Sequence, residues 1–366
     1  MTATPSVARV LVVGTGLMGT SLGLALRARG VETYLADRDP TVARAAAELG
    51  AGLDQLPTSP VALAVIAVPP TAVAAVLADL QGKELATGYT DLASTKAYLQ
   101  GEVERHSGTD PARFVGGHPM AGRERSGPGS ARGDLFEGRP WVLTPSRQTD
   151  SAVLATATAV AELAGATPYV MTPAEHDEAM AVISHAPHLV AALVAARLAE
   201  ADPAALRLAG PGIRDVTRIA AGDPTLWQEI LATNAAAVAA ILDAVGTDLA
   251  AVSAELRTGQ AGAGPGRALP ATVDVLNRGN HGVGRIPGKH GTPPARYQAV
   301  PVVLADRPGQ LAALFAAAGA AGINIEDVRI EHSPGQPVGL VELDVRPEAA
   351  DDLAAALRQR GWIVQR

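Results

Sequence analysis

The chain of 366 residues contains no cysteine. This absence excludes disulfide bridges, thiolate nucleophiles, iron–sulfur clusters and zinc sites with cysteine ligands. It also fits a protein that works in a reducing compartment.

Positive charge is scarce as well. The formal net charge is −7, and the sequence pI is near 5.6. A general nucleic-acid binder needs a basic face, so this class is excluded. Hydrophobic residues make up 48% and charged residues 18% of the chain, which excludes a mainly disordered protein. At roughly 150 residues per domain, the length predicts two or three domains.

Long apolar runs free of helix breakers are also few. Residues 55–78 carry no charge but contain four prolines, so we predict a loop, a buried strand and a short helix there and no membrane span. No positive cluster precedes the apolar run Val10–Val13, which predicts a strand and no signal peptide. We therefore expect a soluble cytoplasmic protein.

Residues 1–172 alternate short apolar runs with helical stretches. This alternation predicts a doubly wound, mostly parallel sheet of the Rossmann type, an α/β fold. The predicted strands are Val10–Val13, Thr33–Ala36, Leu63–Val68, Tyr89–Leu92, Phe114–Gly116, Trp141–Leu143 and Tyr169–Met171.

An all-helical domain is predicted over residues 173–258, with helices at Glu175–Glu200, Pro203–Leu208 and Leu226–Leu256. Residues 259–295 are rich in glycine and proline, which indicates a linker with partial order around Val273–Leu276.

Residues 296–366 return to alternating strands and helices. The order is βαββαβ, which is the ferredoxin-like arrangement. The predicted elements are strand Gln298–Leu304, helix Gly309–Gly319, strand Asn324–Glu331, strand Val338–Val345, helix Pro347–Arg360 and strand Trp362–Gln365.

A glycine-rich segment directly follows the first predicted strand. It reads Gly14-Thr15-Gly16-Leu17-Met18-Gly19 and opens a helix. In a dinucleotide site these glycines permit a tight turn, a close approach of the backbone to the pyrophosphate and close helix–strand packing. Asp37 ends the second strand, where its carboxylate would bind ribose hydroxyls and favour NAD over NADP. The neighbouring Arg38 leaves NADP open.

Four further segments concentrate polar groups between apolar stretches. They are residues 91–96 (DLASTK), 116–122 (GGHPMAG), 184–188 (SHAPH) and 212–218 (GIRDVTR). The first two follow strands, at the sheet edge where open α/β folds bind ligands.

Each segment also has a purely structural interpretation. Asp91 and Ser94 could cap a helix beginning near Thr95, and Arg218 could pair with Asp215 one helical turn away. A further alternative for the histidines His176, His185 and His188 is a metal site, although few carboxylates accompany them.

Together, and in this order, GTGLMG, DLASTK, GGHPMAGRERSG, EHDEAMAVISHAPH and GIRDVTRIA resemble the prephenate dehydrogenase family of tyrosine biosynthesis. The resemblance runs from about Arg9 to Leu256. DRPGQL at 306–311 and GINI at 322–325 resemble an ACT domain, a module that binds amino acids in allosteric enzymes.

The resemblance implies roles for individual residues. His118 would accept the proton of the substrate's C4 hydroxyl, and Ser94 would hydrogen-bond the same hydroxyl. Arg218 would bind a substrate carboxylate. The remaining implied pocket residues are His188, Ser184, Glu124 as an acidic gate, Asp215 and Trp227.

The implied reaction is the NAD-dependent oxidative decarboxylation of prephenate to 4-hydroxyphenylpyruvate, without a metal. The resemblance also implies a homodimer that interlocks through the helical domain. Tyrosine is the expected feedback effector, bound in the ACT domain at Asp306, Gly309, Gln310, Asn324 and Ile325.

Three other functions would account for part of these residues. Arogenate, the amino-acid analogue of prephenate, would suit the same residues. A β-hydroxyacid dehydrogenase would need a catalytic lysine in the helical domain, and no lysine lies between Lys96 and Lys289. A non-enzymatic NAD and amino-acid sensor would bind NAD without turnover.

Overall fold

The computed structural model describes residues 7–122, 127–259, 268–287, 297–332 and 338–365. The chain forms two compact units. One comprises Met1–Ala195 and Arg218–Ala244, and the other comprises Ala196–Thr217 and Val245–Arg366. The predicted division at residues 172, 258 and 295 stays a prediction.

The first unit is built on a sheet with strand order β3-β2-β1-β4-β5-β6-β7-β8. Neighbouring strands run parallel except β6 and β7, which are antiparallel. The mostly parallel, Rossmann-type sheet is therefore confirmed. The strands are β1 (Arg9–Val13), β2 (Glu32–Ala36), β3 (Leu53–Asp54), β4 (Val61–Ile66), β5 (Ala86–Asp91), β6 (Phe114–Pro119), β7 (Pro140–Thr144) and β8 (Thr167–Val170).

Helices cover both faces of this sheet. In β1, Val10 and Val12 enter one apolar cluster and Leu11 enters the other, as the two-residue period of a strand requires. A central strand buried on both faces reads as one continuous apolar run, which is why it could be predicted. The helices are α1 (Leu17–Ala28), α2 (Pro40–Glu48), α3 (Val73–Gly82), α4 (Ala97–Arg105) and α5 (Ser151–Leu163).

The long helix predicted at Glu175–Glu200 contains a change of winding. It consists of α6 (Pro173–Met180), a π-helical turn at Ala181–His185 and α7 (Ala186–Leu198). Pro187 lacks an N–H donor, and the wider turn before it accommodates this loss. Thr172 and Glu175 form a capping box that fixes the start of α6.

Asn234 divides the second predicted long helix. It separates α10 (Pro224–Thr233) from α11 (Ala235–Gly259). By length and composition alone, Pro173–Leu198 and Ala235–Arg257 could cross a membrane. Apolar helices of soluble proteins meet the same criterion, so it does not by itself indicate a membrane protein.

The partial order predicted around Val273–Leu276, within residues 259–295, is a helix, α12 (Pro270–Val283). Proline at the first position is compatible with a helix, since that N–H has no intrahelical partner anyway. The Glu255 carboxylate accepts the backbone N–H groups of Ala271 and Thr272 at 3.1 and 2.9 Å, which fixes the first turn. The same second unit contains the short helix α8 (Pro203–Leu206), and α9 spans Pro211–Arg218.

The C-terminal part of the second unit has the predicted ferredoxin-like order. Its sheet is antiparallel, with order β10-β11-β9-β12. The elements are β9 (Gln298–Ala305), α13 (Gln310–Ala320), β10 (Asp327–His332), β11 (Val338–Val345), α14 (Pro347–Gln359) and β12 (Ile363–Val364). Alternate residues Val300, Val302 and Leu304 point into its core.

Candidate active site

A cavity of about 730 Å³ opens at the carboxyl edge of the first unit's sheet. Strand order reverses between β1 and β4, where open α/β sheets bind ligands. The lining includes Gly16, Leu17, Met18, Ser94, His118, Ile183, Ser184, His188, Leu226, Trp227 and Ile230.

The glycine-rich loop has the geometry of a pyrophosphate cradle. A Cβ at Gly14 would lie 2.4 Å from the Ala67 carbonyl oxygen, and one at Gly19 would lie 1.9 Å from the Gly14 carbonyl oxygen. At Gly16, by contrast, a Cβ would have no atom of the described residues within 4 Å. Gly14 and Gly19 therefore serve packing, whereas Gly16 leaves room for a phosphate at the N-terminus of α1.

Asp37 holds this loop from the end of β2. Its Oδ2 accepts the Thr15 backbone N–H at 2.6 Å, and its Oδ1 accepts the Asp39 N–H at 3.0 Å. Oδ2 also accepts the Thr15 hydroxyl at 3.1 Å. An ionised carboxylate has about four acceptor positions, so one remains, on Oδ1, for a ribose hydroxyl. Arg38 beside it is exposed. The loop and Asp37 together fit NAD.

His118 lies near the end of β6 and lines the cavity with 9% of its surface exposed. Burial holds its pKa well below the usual value, and the nearby His176, Lys96 and His185 lower that pKa further. The ring is therefore a neutral imidazole at physiological pH and can accept a proton.

A buried ion pair, absent from the sequence predictions, holds the backbone just before His118. Lys96 Nζ contacts Asp91 Oδ2 and donates to the Gly117 carbonyl at 2.7 Å. Asp91 Oδ1 accepts the Gly117 N–H at 2.9 Å. Both side chains are inaccessible to solvent. Burial lowers the pKa of Lys96, and Asp91 opposes this shift. Both polar groups of the Gly117 backbone are thus fixed.

The capping interpretation of Asp91 and Ser94 is wrong. Helix α4 begins at Ala97, and the Lys96 and Ala97 N–H groups both donate to the Asp177 carboxylate at 2.8 Å. Asp91 instead binds Lys96 and the backbone, whereas Ser94 is half-buried and lines the cavity.

The sequence predictions did not place Asp177 in the site, and they named His176 only in the metal alternative. His118 Nδ1 lies 2.8 Å from His176 Nε2, and His176 Nδ1 lies 2.7 Å from Asp177 Oδ1. The adjacent histidine and aspartate of the EHD sequence were a signal, but only the fold brings them behind His118. Among the described residues, no group of three or more histidine, aspartate or glutamate side chains could hold a metal ion.

The other two histidines of the metal alternative have separate partners. His188 stacks on Trp227, with ring centroids 3.5 Å apart and an interplanar angle of 11°, and both line the cavity. His185 Nδ1 lies 3.1 Å from Asn234 Nδ2. Burial lowers the pKa of His185 to about 4.

Some predicted site residues lie elsewhere. Arg218, at the end of α9, is exposed and is not among the described residues that line the cavity. Asp215 is an exposed residue of the second unit. Glu124 and its neighbour Arg123 lie outside the described residues. The roles of these side chains stay predictions.

The predicted effector residues all lie in the ferredoxin-like part of the second unit. Gly309 has φ of +84° and precedes α13, which begins at Gln310. Asp306 is exposed, and Asn324 Nδ2 donates to Glu326 Oε1 at 2.7 Å. Ile325 packs partly buried against the core of this region. Their role in effector binding stays a prediction.

Two family descriptions match the chain. "Prephenate dehydrogenase, nucleotide-binding domain" matches residues 22–170, and "Prephenate dehydrogenase, dimerization domain" matches residues 172–263. These matches cover the strands β2 to β8 of the first unit's sheet and the helices from α6 to α11.

Known proteins resemble the chain over most of its length. A probable prephenate dehydrogenase, NovF of Streptomyces niveus, is 41% identical over 96% of this chain and 98% of its own. Prephenate dehydrogenase from A. aeolicus, solved with hydroxyphenyl propionate and NAD+, is 29% identical with a TM-score of 0.63, over 76% of this chain and 99% of its own. Synechocystis arogenate dehydrogenase is 28% identical with a TM-score of 0.61, over 75% of this chain and 98% of its own.

Proposed function

The chain belongs to the prephenate dehydrogenase family, and from this premise we propose how its cavity oxidises prephenate. It is an NAD-dependent oxidoreductase. One observation carries the proposal for the site: the neutral ring of His118 lines the same cavity as the glycine loop and Ser94. A proton acceptor therefore lies beside the place where the coenzyme would bind.

The proposed reaction begins at C4 of the substrate ring. Bound NAD supplies the acceptor for the hydride that leaves C4. His118 Nε2 takes the proton of the C4 hydroxyl, the bond from the ring to its carboxylate breaks, and that electron pair makes the ring aromatic. His118 then returns the proton to the phenolate oxygen. The products are 4-hydroxyphenylpyruvate, carbon dioxide and reduced NAD, so atoms and charges balance.

Other side chains position the substrate in this proposal. Ser94 hydrogen-bonds the C4 hydroxyl, and Arg218 binds a carboxylate through its planar guanidinium. Ser184, His188 and Trp227 contact the substrate or the nicotinamide, and apolar neighbours such as Ile183 and Leu226 exclude water. Glu124 acts as an acidic gate, and Asp215 is assigned to substrate binding by the resemblance.

The first experiment is to follow the formation of reduced NAD by purified protein supplied with NAD and prephenate, with arogenate in a parallel assay. Turnover of prephenate supports the proposal. Turnover of arogenate alone would keep the chemistry and change the substrate. The variant His118→Asn should lose about 10²–10⁴-fold in kcat while its affinity for NAD stays nearly unchanged. NAD binding without turnover of either substrate would favour a sensor.

We further propose that residues 296–366 form an ACT domain that binds tyrosine and lowers activity. The ferredoxin-like order of β9 to β12 supports this. Millimolar tyrosine should inhibit the enzyme, and Asn324→Ala should weaken that inhibition without changing activity in its absence. Equal activity with and without tyrosine would contradict the proposal.

We also propose a soluble, cytoplasmic homodimer. The two longest apolar helices lie in the segment that matches the dimerization domain, and their exposed side chains suit a second copy of the chain. Burial in that interface would explain their composition without a membrane.

A further inference from the structure

Three residues in a row connect the cavity to the start of a helix. His118 bonds to His176, His176 bonds to Asp177, and Asp177 accepts the first N–H groups of α4. All of them belong to the first unit, and all are buried. The donor and the acceptor in each of these hydrogen bonds determine which nitrogen of His118 carries the proton.

The direction is set at the Asp177 end. Its Oδ1 accepts the Lys96 N–H and its Oδ2 accepts the Ala97 N–H, both at 2.8 Å. A carboxylate that already accepts backbone donors at both oxygens remains an acceptor toward its third partner. His176 Nδ1, 2.7 Å away, is therefore the donor and carries a proton.

The proton on His176 Nδ1 in turn determines the donor in the hydrogen bond between His176 and His118. A neutral imidazole with its proton on Nδ1 has a lone pair on Nε2, so His176 Nε2 accepts. The atom 2.8 Å from it, His118 Nδ1, must then donate. Because the neutral ring of His118 has one proton, its Nε2 carries none. Nε2 is also the ring nitrogen that does not bond to His176.

We propose that His176 and Asp177 are positioning residues that hold the proton of His118 on Nδ1 and keep its Nε2 lone pair free for the substrate hydroxyl. This inference rests on the proposed function of His118 as the base. When Nε2 takes the substrate proton, the Nδ1–H bond to His176 becomes charge-assisted, with the Asp177 carboxylate at the far end.

The variant Asp177→Asn replaces one acceptor oxygen by a donor. Asp177 Oδ1 accepts both the Lys96 N–H and the His176 Nδ1–H, and Oδ2 accepts the Ala97 N–H, so the new NH₂ group faces a backbone N–H in either amide orientation. With the NH₂ group in the Oδ1 position, it donates to His176 Nδ1, His176 Nε2 donates to His118 Nδ1, and the His118 proton moves to Nε2. With the amide oxygen in the Oδ1 position, the natural direction is kept. The reversed tautomer cannot act as the base, and a wrong tautomer is what an Asp→Asn change produces behind a catalytic histidine in serine proteases.

If Asp177→Asn moves the His118 proton to Nε2, we expect kcat to fall by about 10²-fold or more. The KM for prephenate and the Kd for NAD should stay within about twofold, because neither ligand contacts Asp177 in this assignment. A merely structural role would change those constants as well. Asp150→Asn is the control, because Asp150 Oδ1 accepts one N–H at the start of α5 and touches neither histidine. It should leave turnover unchanged.

A measurement on the unmodified protein keeps the inference testable if the variant fails to fold. Nitrogen-15 NMR of labelled histidines distinguishes the two tautomers of His118 without substrate. We expect the proton on Nδ1 in the natural protein, and the same spectra of Asp177→Asn show which tautomer that variant holds. A proton on Nε2 in the natural protein would overturn the inference, and so would a kcat within twofold of the natural enzyme in an Asp177→Asn variant whose His118 proton lies on Nε2.

The two proposals can fail separately. If the natural protein turns over neither prephenate nor arogenate but carries the His118 proton on Nδ1, the proposed function fails and the positioning role stands. If it turns over prephenate with the proton on Nε2, the function stands and the positioning role fails.

Discussion

At the scale of single residues, the ion pair between Lys96 and Asp91 is buried on all sides. Lys96→Met would leave the Asp91 carboxylate without its cation in a place that water does not reach. We expect the free energy of unfolding to fall by about 3–5 kcal/mol, measured by urea denaturation. A double variant that also replaces Asp91 should not recover this loss, because Asp91 additionally accepts the Gly117 and Ala93 N–H groups.

The matched control is the exposed pair of Lys83 and Asp79, whose Nζ–Oδ2 distance is 2.7 Å. Lys83→Met should cost less than about 1 kcal/mol, because water screens this pair. Equal losses for the two lysine variants would mean that burial of Lys96 does not determine its contribution.

The lowered pKa of His118 leads to a prediction about pH. Catalysis needs the neutral ring, and burial places the pKa well below 6.5. The profile of kcat/KM against pH, which reports on the free enzyme, should therefore be flat upward from pH 6.5 and fall only at lower pH. An acid limb centred at or above pH 6.5 would contradict this environment. Unfolding must be followed in the same buffers. His185 has a pKa of about 4 in the folded protein, so the unfolded chain binds a proton more readily and stability falls as the pH drops below 6.5.

The positions of site residues could be predicted from the sequence only where the side chain faces the cavity. Ser94, His118, His188 and Trp227 line it as the motifs indicated. Lys96, His176 and Asp177 act behind the cavity, and their contacts join segments about 80 residues apart. Spacing along the chain carries no signal for such contacts, since they depend on how the sheet and helices pack.

At the scale of elements, the glycines of the turn between β1 and α1 differ: Gly14 and Gly19 are required for packing, whereas Gly16 is open for binding. Gly16→Ala adds a methyl group where no described atom lies within 4 Å, so the melting temperature should not change. The same methyl group would occupy the space of the pyrophosphate. We therefore expect the Kd for NAD to rise at least about tenfold, which corresponds to about 1.4 kcal/mol, as measured by calorimetry.

Gly19→Ala is the comparison within the same turn. Its Cβ would lie 1.9 Å from the Gly14 carbonyl oxygen, so the helix would have to move away from the strand. This variant should lose stability as well as NAD binding. Unchanged NAD affinity in Gly16→Ala would show that the open space at Gly16 is not where the pyrophosphate binds.

Elements with a strong local pattern were predictable, and those shaped by tertiary contacts were not. Strand β11, Val338–Val345, has the predicted bounds because apolar and polar residues alternate along it. The π-helical turn at Ala181–His185 and the break at Asn234 have no such pattern. Asn234 follows α10, and its side chain contacts the Asp177 carbonyl and His185. The hydrophobic periodicity of the sequence does not indicate such tertiary contacts.

At the scale of the whole molecule, the apolar surface of the helices predicts self-association. Leu249 on α11 is 67% exposed and Leu276 on α12 is 61% exposed. If two copies cover this surface, the natural protein should sediment at twice the 37.2 kDa chain mass. Leu249→Asp would place a charge in the apolar interface, so dissociation into single chains is expected, because a buried unpaired charge is costly.

The control for this charge is Leu56→Asp. Leu56 is 48% exposed in the first unit and precedes β4, outside the segment that matches the dimerization domain. Its variant should sediment like the natural protein. A natural protein that sediments as a single chain at micromolar concentration would contradict the dimer. So would a Leu249→Asp variant that keeps the mass of the natural protein, because an aspartate at the centre of an apolar contact could not then be buried there.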